Sequence, residues 1–471
     1  MVFSSTVFLF IFLPVTYILY LVCKKITVRN ILLIIASLVF YAYGEPVAVF
    51  LMIISIIANY FFGLGMAGKY KKLLLTASVI FNIAMLYVFK YLSFSINLFD
   101  DITGLNVPVP VIDLPVGISF FTFQAMSYVI DVYKQPELKE KNILNIFLYI
   151  SLFPQLIAGP IVKFSDIAEQ INERSITAEK TASGIRRFIC GLSKKVLIAN
   201  AAAQIADAAF DNPTGDMSSP ALWLGAAAYM LQIFFDFSGY SDMAIGLGKM
   251  FGFELRENFN YPFGADSMQD FWRKWNISVS TWFKEYVYIP LGGNRKGKIR
   301  TSINKCIVFF LTGLWHGANL TFIVWGLIHG LFLLLEQYGV IFFVKKKQLA
   351  AKIVSHIYVL LVTMFAFIFF RADSLGNAVS YIIGMFTNFS SAGILSSRVY
   401  SLAFTPYMLL IAVFAVIFSL PVIPRLTGIL KKKSKPATGE YIGSAITLVL
   451  FLLCVMNLYS STYNPFIYFR F

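Results

Sequence analysis

The sequence predicts an all-α polytopic membrane protein, and three observations carry that prediction. Of 471 residues, 58% are hydrophobic and only 13% charged, against about 45–50% apolar and about 25% charged in soluble domains. The mean hydropathy is +0.73. The apolar residues gather in runs close to the ~20 residues a helix needs to cross a ~30 Å hydrocarbon core, and the basic residues cluster in the short gaps between them.

The opening run, "FLFIFLPVTYILYLV", has no positive stretch before it and is followed by Lys24 and Lys25. It therefore reads as a first transmembrane helix rather than a cleaved leader. Further spans are expected near residues 30–44, 47–66, 73–92, 143–162, 183–208, 219–248, 303–320, 321–343, 353–370, 406–424 and 441–459, with shorter pieces near 115–131 and 376–388. Ten to twelve crossings is the expected count.

Placing Lys24, Lys25 and Arg29 in the cytoplasm puts the N-terminus outside, Lys69, Lys71 and Lys72 inside, and the acidic, Pro-rich loop "FDDITGLNVPVPVIDLP" outside. The run from Lys431 to Lys435, if cytoplasmic, implies an even number of crossings. The net charge of +15 follows the same clusters, which suit anionic lipid headgroups; it forms no nucleic-acid stripe. Four cysteines lie far apart without a CxxC pair, so neither a zinc site nor a disulfide framework is expected.

Residues 250–302 break the pattern. They carry charges every few residues among many aromatics, and so cannot cross lipid as a simple helix. An interfacial or re-entrant element is expected there. No linker long enough for a second domain and no internal repeat is visible.

Common catalytic signatures are missing: no GxSxG, no GxxxxGK[ST], no HExxH. Imidazole chemistry is left three candidates. His356, near a span edge, is placed at the interface. His316 and His329, in "LTGLWHGANLTFIVWGLIHG", are 13 residues apart, about 220° on one helix at about 100° per residue, so one of the two is expected to be structural. Intramembrane ionisable groups mark functional sites by default. Asp236 and Asp242, in "FFDFSGYSDMA", need partners, and Arg273 or Lys274 could supply one; a structural clamp and a substrate contact are both open. Trp272, Trp275 and Trp282 read as a membrane-interface belt or a binding wall, and Trp315 stands beside His316. Gly313 and Gly317 permit either close helix packing or close substrate approach. The run from Arg295 to Arg300 serves as cytoplasmic anchoring or draws in phosphates.

The stretch "DFWRKWNISVSTWFKEYVYIPLGGNR" followed by "LTGLWHG" resembles the membrane-bound O-acyltransferase (MBOAT) family, in its bacterial polysaccharide O-acetylation, alginate-type branch. "MVFSSTVFLFIFLP", "LPVGISFFTFQAMSYVIDVYK", "LFPQLIAGPIVKF", "QIFFDFSGYSDMAIGLGKMFGF", "FFRA" and "FIYFRF" extend the likeness over nearly the full chain. The resemblance implies one integral membrane domain over residues 1–471, with about eleven helices around a central tunnel. Within it, 250–302 carries Asn276, and 303–343 carries the WHG element. It makes His316 the catalytic residue and Asn276 its polar companion, where the branch usually has His; an amide there can donate to a carbonyl or orient the imidazole but does not relay a proton.

The implied reaction moves an acetyl group from cytoplasmic acetyl-CoA, a substrate rather than a resident cofactor, toward hydroxyls of an exported or cell-surface polysaccharide. His316 then acts as general base or as a covalent acyl carrier. A separate extracytoplasmic partner of SGNH-hydrolase type completes the transfer, and the location is the bacterial cytoplasmic membrane. Two rival readings are D-alanyl transfer to teichoic acid on the same scaffold, and a transporter lined by Asp236, Asp242 and His316. The missing paired repeats count against the second.

Overall fold

The computed structural model describes residues 1–345, 348–389, 393–425, 436–460, 463–464 and 466–467. The lysine run 431–435, Lys346 and Lys347, and most of the closing "FIYFRF" lie outside the described residues. Among the described residues every regular element is helical. Seven helices are long and apolar enough to cross a membrane: Ala48–Gly65, Lys71–Thr103, Ala178–Phe210, Ser219–Met250, Leu320–Tyr338, Leu349–Arg371 and Gly439–Ser460. An eighth span results if Leu395–Ala403 and Pro406–Ser419, bent by 68°, count as one, and Phe8–Val22, Ile26–Ala42 and Leu375–Thr387 are shorter apolar helices. The chain is a multi-pass membrane protein. Large apolar side chains such as Phe61, Leu73, Val413 and Leu448 stand more than half exposed, which suits a lipid-facing surface and not a water-facing one.

One expected span is corrected. Residues 143–162 form a helix at Ile143–Ser151, a break at Leu152, and one turn at Phe153–Leu156. Ile146, Leu148, Tyr149 and Phe153 have no exposure. The apolar run fills the core instead of facing lipid, and Pro154 sets the new turn because it lacks an N–H and suits a first helical turn.

The chain falls into two compact units, residues 1–188 with 240–256, and residues 189–239 with 257–471. The first unit is held by polar staples at buried positions. Asn59 and Asn82 exchange amide hydrogen bonds at 3.2 and 2.8 Å. Arg174 donates to the Tyr20 hydroxyl at 2.8 Å and to Asn30 Oδ1 at 2.7 Å. Asp242 accepts from Arg187, Nη2 to Oδ1 2.6 Å.

The second unit holds Asn276 and His316. Residues 257–296 form no helix long enough to cross; they fold as α1 (Met268–Lys274), α2 (Ile277–Phe283) and a widened turn at Lys284–Tyr288. Then follow α3 (Gly297–His316), α4 (Leu320–Tyr338) and α5 (Leu349–Arg371). The helices α3 and α4 form a tight hairpin. A Cβ on Gly313 would lie 2.3 Å from the Phe322 carbonyl, and one on Gly326 2.2 Å from the Phe309 carbonyl, so both glycines are required by backbone-to-backbone packing.

Candidate active site

Why His316 sits where it does begins with the end of α3. Gly317 leaves the helix in an extended conformation, and the Asn319 side chain accepts from Thr321 N at 3.0 Å, capping α4. His316 is therefore the last residue of its helix, 4% exposed. Its ring stands edge-on to Trp325 at 4.8 Å and to Phe370 at 5.1 Å, with Trp315 at 4.8 Å. Aromatic walls on several sides fix the imidazole and keep bulk water from it.

Asn276 joins α1 to α2 with φ 43°, a left-handed conformation that asparagine tolerates better than other residues with a Cβ. Asn258 holds the turn: its carbonyl accepts from Ile277 N at 2.9 Å and its Oδ1 from Ser278 N at 3.0 Å. Asn276 is 1% exposed, and its Oδ1 has no hydrogen-bond partner. The neighbouring Trp275 ring meets Phe367 on α5 at 5.3 Å. One turn on, Phe370 meets His316, so a single face of α5 contacts His316 and the residue that precedes Asn276.

The premise that His316 and His329 share one helix fails. The chain breaks at Gly317, and the hairpin brings both imidazoles to Trp325, His329 at 4.9 Å. His329 is fully buried, stacked parallel on Phe271 at 6.0 Å and edge-on to Trp272 at 5.1 Å. His356 sits on α5, with Nδ1 3.2 Å from the Ala265 carbonyl. A carbonyl only accepts, so Nδ1 carries the proton.

The expected partners of the two aspartates are corrected as well. Asp236, 2% exposed, pairs with Lys195 at 2.9 Å and accepts from Ile467 N at 2.8 Å. Asp242 pairs with Arg187 in the first unit. Lys274 is bound to Asp270 one turn away at 2.6 Å, and Arg273 lines a pocket. The helix Ala178–Phe210 supplies the counter-ions of both aspartates on Ser219–Met250, because a buried carboxylate needs a cation at contact distance. The interface-belt reading of the tryptophans is corrected too: Trp275 and Trp282 are 3% and 5% exposed, and Trp272 packs edge-on to Phe309 at 5.0 Å.

The pocket beside this cluster has a volume of about 220 Å³. Trp272, Phe309 and Thr312 form part of its wall, and the cations Arg273, Lys284 and Lys305 border it. Such a lining suits an anion with an uncharged end.

Sequence reasoning missed Glu336. It lies 7% exposed in α4, and its carboxylate accepts from Met268 N at 2.5 Å and Gln269 N at 3.1 Å. It thereby caps the start of α1, the helix bearing Trp272 and leading to Asn276. A lone carboxylate closing the apolar run "LFLLLE" was the available signal. Trp325, the ring shared by both histidines, gave no comparable sign.

Comparison with known proteins gives the family. The model of the family "MBOAT, membrane-bound O-acyltransferase family" matches residues 49–376, which include Asn276 and His316. The chain is 37% identical to the probable alginate O-acetylase AlgI of Azotobacter vinelandii, over 100% of both chains. It is 36% identical to the peptidoglycan O-acetyltransferase of Helicobacter pylori, over 82% of this chain and 80% of that one. The teichoic acid D-alanyltransferase of Bacillus subtilis is more distant, 31% identical over 45% of this chain and 56% of its own. A multi-pass helical fold, a buried histidine closing the WHG helix and full-length likeness to O-acetylases leave one conclusion: this chain belongs to the membrane-bound O-acyltransferase family and is an O-acyltransferase.

Proposed function

We propose that the protein takes an acetyl group from acetyl-CoA on the cytoplasmic side and passes it toward hydroxyls of an exported or cell-surface polysaccharide. The observation that carries this reading is His316, buried at its helix end within an aromatic wall, in a chain whose full-length relative is a probable alginate O-acetylase. The pocket bordered by Arg273, Lys284 and Lys305 supports an anionic donor such as a nucleotide-bearing thioester.

In the step proposed, His316 takes the proton of the attacking hydroxyl as its oxygen bonds to the thioester carbonyl carbon. The carbon–sulfur bond then breaks, and the departing thiolate receives the proton. Asn276 donates its amide N–H to the carbonyl or orients the imidazole. Trp315, Trp272 and Trp275 line the route, and Arg273 meets the donor's negative charge. Asp236 and Asp242, with their cations, brace the bundle. The whole chain acts as one membrane domain with a central tunnel, the N-terminus outside the cytoplasmic membrane, and hands the acetyl group to a separate SGNH-type partner.

The test measures O-acetyl ester on the surface polysaccharide of wild type, deletion, and deletion complemented with wild-type or His316→Ala protein at equal membrane levels. Loss in the deletion and in His316→Ala, with recovery by wild type, is the expected result. Unchanged acetyl ester in the deletion sinks the reading, and teichoic-acid D-alanine then becomes the quantity to assay.

A further inference from the structure

We infer that Trp272, Trp325 and His329 form a second subsite that binds the carbonyl oxygen of the acyl group, separate from Asn276 and His316. The inference rests on the acyl-transfer reading above and deepens it.

Each of the three residues carries buried nitrogen without a hydrogen-bond partner: Nε1 of Trp272, Nε1 of Trp325, and both ring nitrogens of His329. The three rings are mutual neighbours. Trp272 and Trp325 lie 5.8 Å apart, Trp272 and His329 5.1 Å, and Trp325 and His329 4.9 Å. Most buried polar groups in folded proteins are paired, and an orphaned one costs about 1–3 kcal/mol. Three adjacent residues that all forgo pairing mark a place where a ligand supplies the partner.

The donor inventory defines that ligand. An indole N–H can only donate, and a neutral imidazole offers one donor and one acceptor. The cluster thus presents an excess of uncharged donors, which suits a carbonyl oxygen and the oxyanion that forms from it, and repels a metal cation. Position agrees. Trp272 is part of the wall of the 220 Å³ pocket, while Trp325 touches His316 at 4.8 Å. An acyl carbonyl held by these indoles is therefore next to the ring that packs against the base.

The competing account is packing alone. Interplanar angles of 66°, 89° and 74° are those of edge-to-face aromatic pairs, and an N–H can rest on a π face. The two accounts differ in what they require of position 329: a polar group in one case, a flat ring in the other.

The experiment compares two acetyl-CoA analogues on purified full-length protein in lipid nanodiscs, by calorimetry. One is the ketone in which a methylene replaces sulfur, which keeps the carbonyl; the other is S-ethyl-CoA, which lacks it. Wild type is expected to bind the ketone about tenfold more tightly. His329→Phe and Trp325→Phe should lose that preference while binding S-ethyl-CoA as wild type does, which also reports that the variant is folded. His329→Gln, with a donor and an acceptor but no ring, should keep part of it. The reverse order, preference kept by His329→Phe and lost by His329→Gln, overturns the subsite. No preference in wild type overturns it as well, while leaving the donor assignment standing; no binding of either analogue overturns the donor assignment and the subsite with it.

Discussion

Two buried polar regions of the second unit are built on opposite rules. Around Asp236 charged and amide groups meet one another: Lys195 bridges Asp236 and the Asn200 Oδ1 at 2.8 Å, Asn200 Nδ2 lies 3.2 Å from Asn464 Oδ1, and Arg371 reaches both Asp207 and Asp211. Tyr463 adds a hydrogen bond to Asp207. Around Trp325 the indole nitrogens of Trp272 and Trp325 and both ring nitrogens of His329 have no hydrogen-bond partner. Paired charges in a bundle fix one packing arrangement at the expense of desolvation, whereas the ring nitrogens of Trp272, Trp325 and His329 are those of the proposed acyl subsite. The region around Asp236 is expected to act as architecture and the region around Trp325 as the proposed place of chemistry.

The largest effect is expected at the base. His316→Ala should reduce acyl transfer by about 10²–10⁴-fold at unchanged membrane abundance and unchanged thermal unfolding in detergent. A variant that loses abundance along with activity would move His316 into the architectural class. Asp236→Ala should do the reverse, destabilising the fold by about 3–5 kcal/mol because Lys195 is left buried without its main counter-ion. Replacing Lys195 by Met in the same chain should restore part of that stability, read as the unfolding midpoint of single and double variants.

Smaller effects sharpen the boundary between the regions. Glu336→Ala leaves the Met268 and Gln269 N–H groups without an acceptor, at about 1–3 kcal/mol, and should lower the transfer rate through α1. Glu336→Gln keeps an acceptor and should recover most of the rate; equal losses in both variants would show that charge rather than capping matters. Asn276→Ala should cost about 1–2 kcal/mol from its left-handed backbone, whereas Asn276→Gly relieves that strain and isolates the loss of the amide. Rate measured at matched stability separates the two. His356→Phe, removing one hydrogen bond to the Ala265 carbonyl, should shift stability by about 1 kcal/mol and leave transfer as it is.

Much of this was legible in the sequence. Long apolar runs and the basic clusters between them identify a polytopic helical membrane protein, because burial in lipid is a sum over local residues. The motifs around Asn276 and His316 pointed to the family. Individual elements show where that reading stops. Hydropathy cannot distinguish a lipid-facing helix from one buried in protein, so 143–162 looked like a span and is core. The counter-ions of Asp236 and Asp242 were sought in the aromatic segment near residue 273, but they come from Lys195 and Arg187, whose lysine and arginine clusters read only as topology markers.

What the sequence determined by itself is the solvent the protein lives in, its helical class and the family motif that contains His316, since each follows from composition or a contiguous motif. Only the tertiary structure decided that His316 and His329 meet at Trp325, that Glu336 caps the helix leading to Asn276, and which buried charges pair. These depend on backbones brought together at Gly313 and Gly326, and close packing between separate helices is a property of no single stretch of chain.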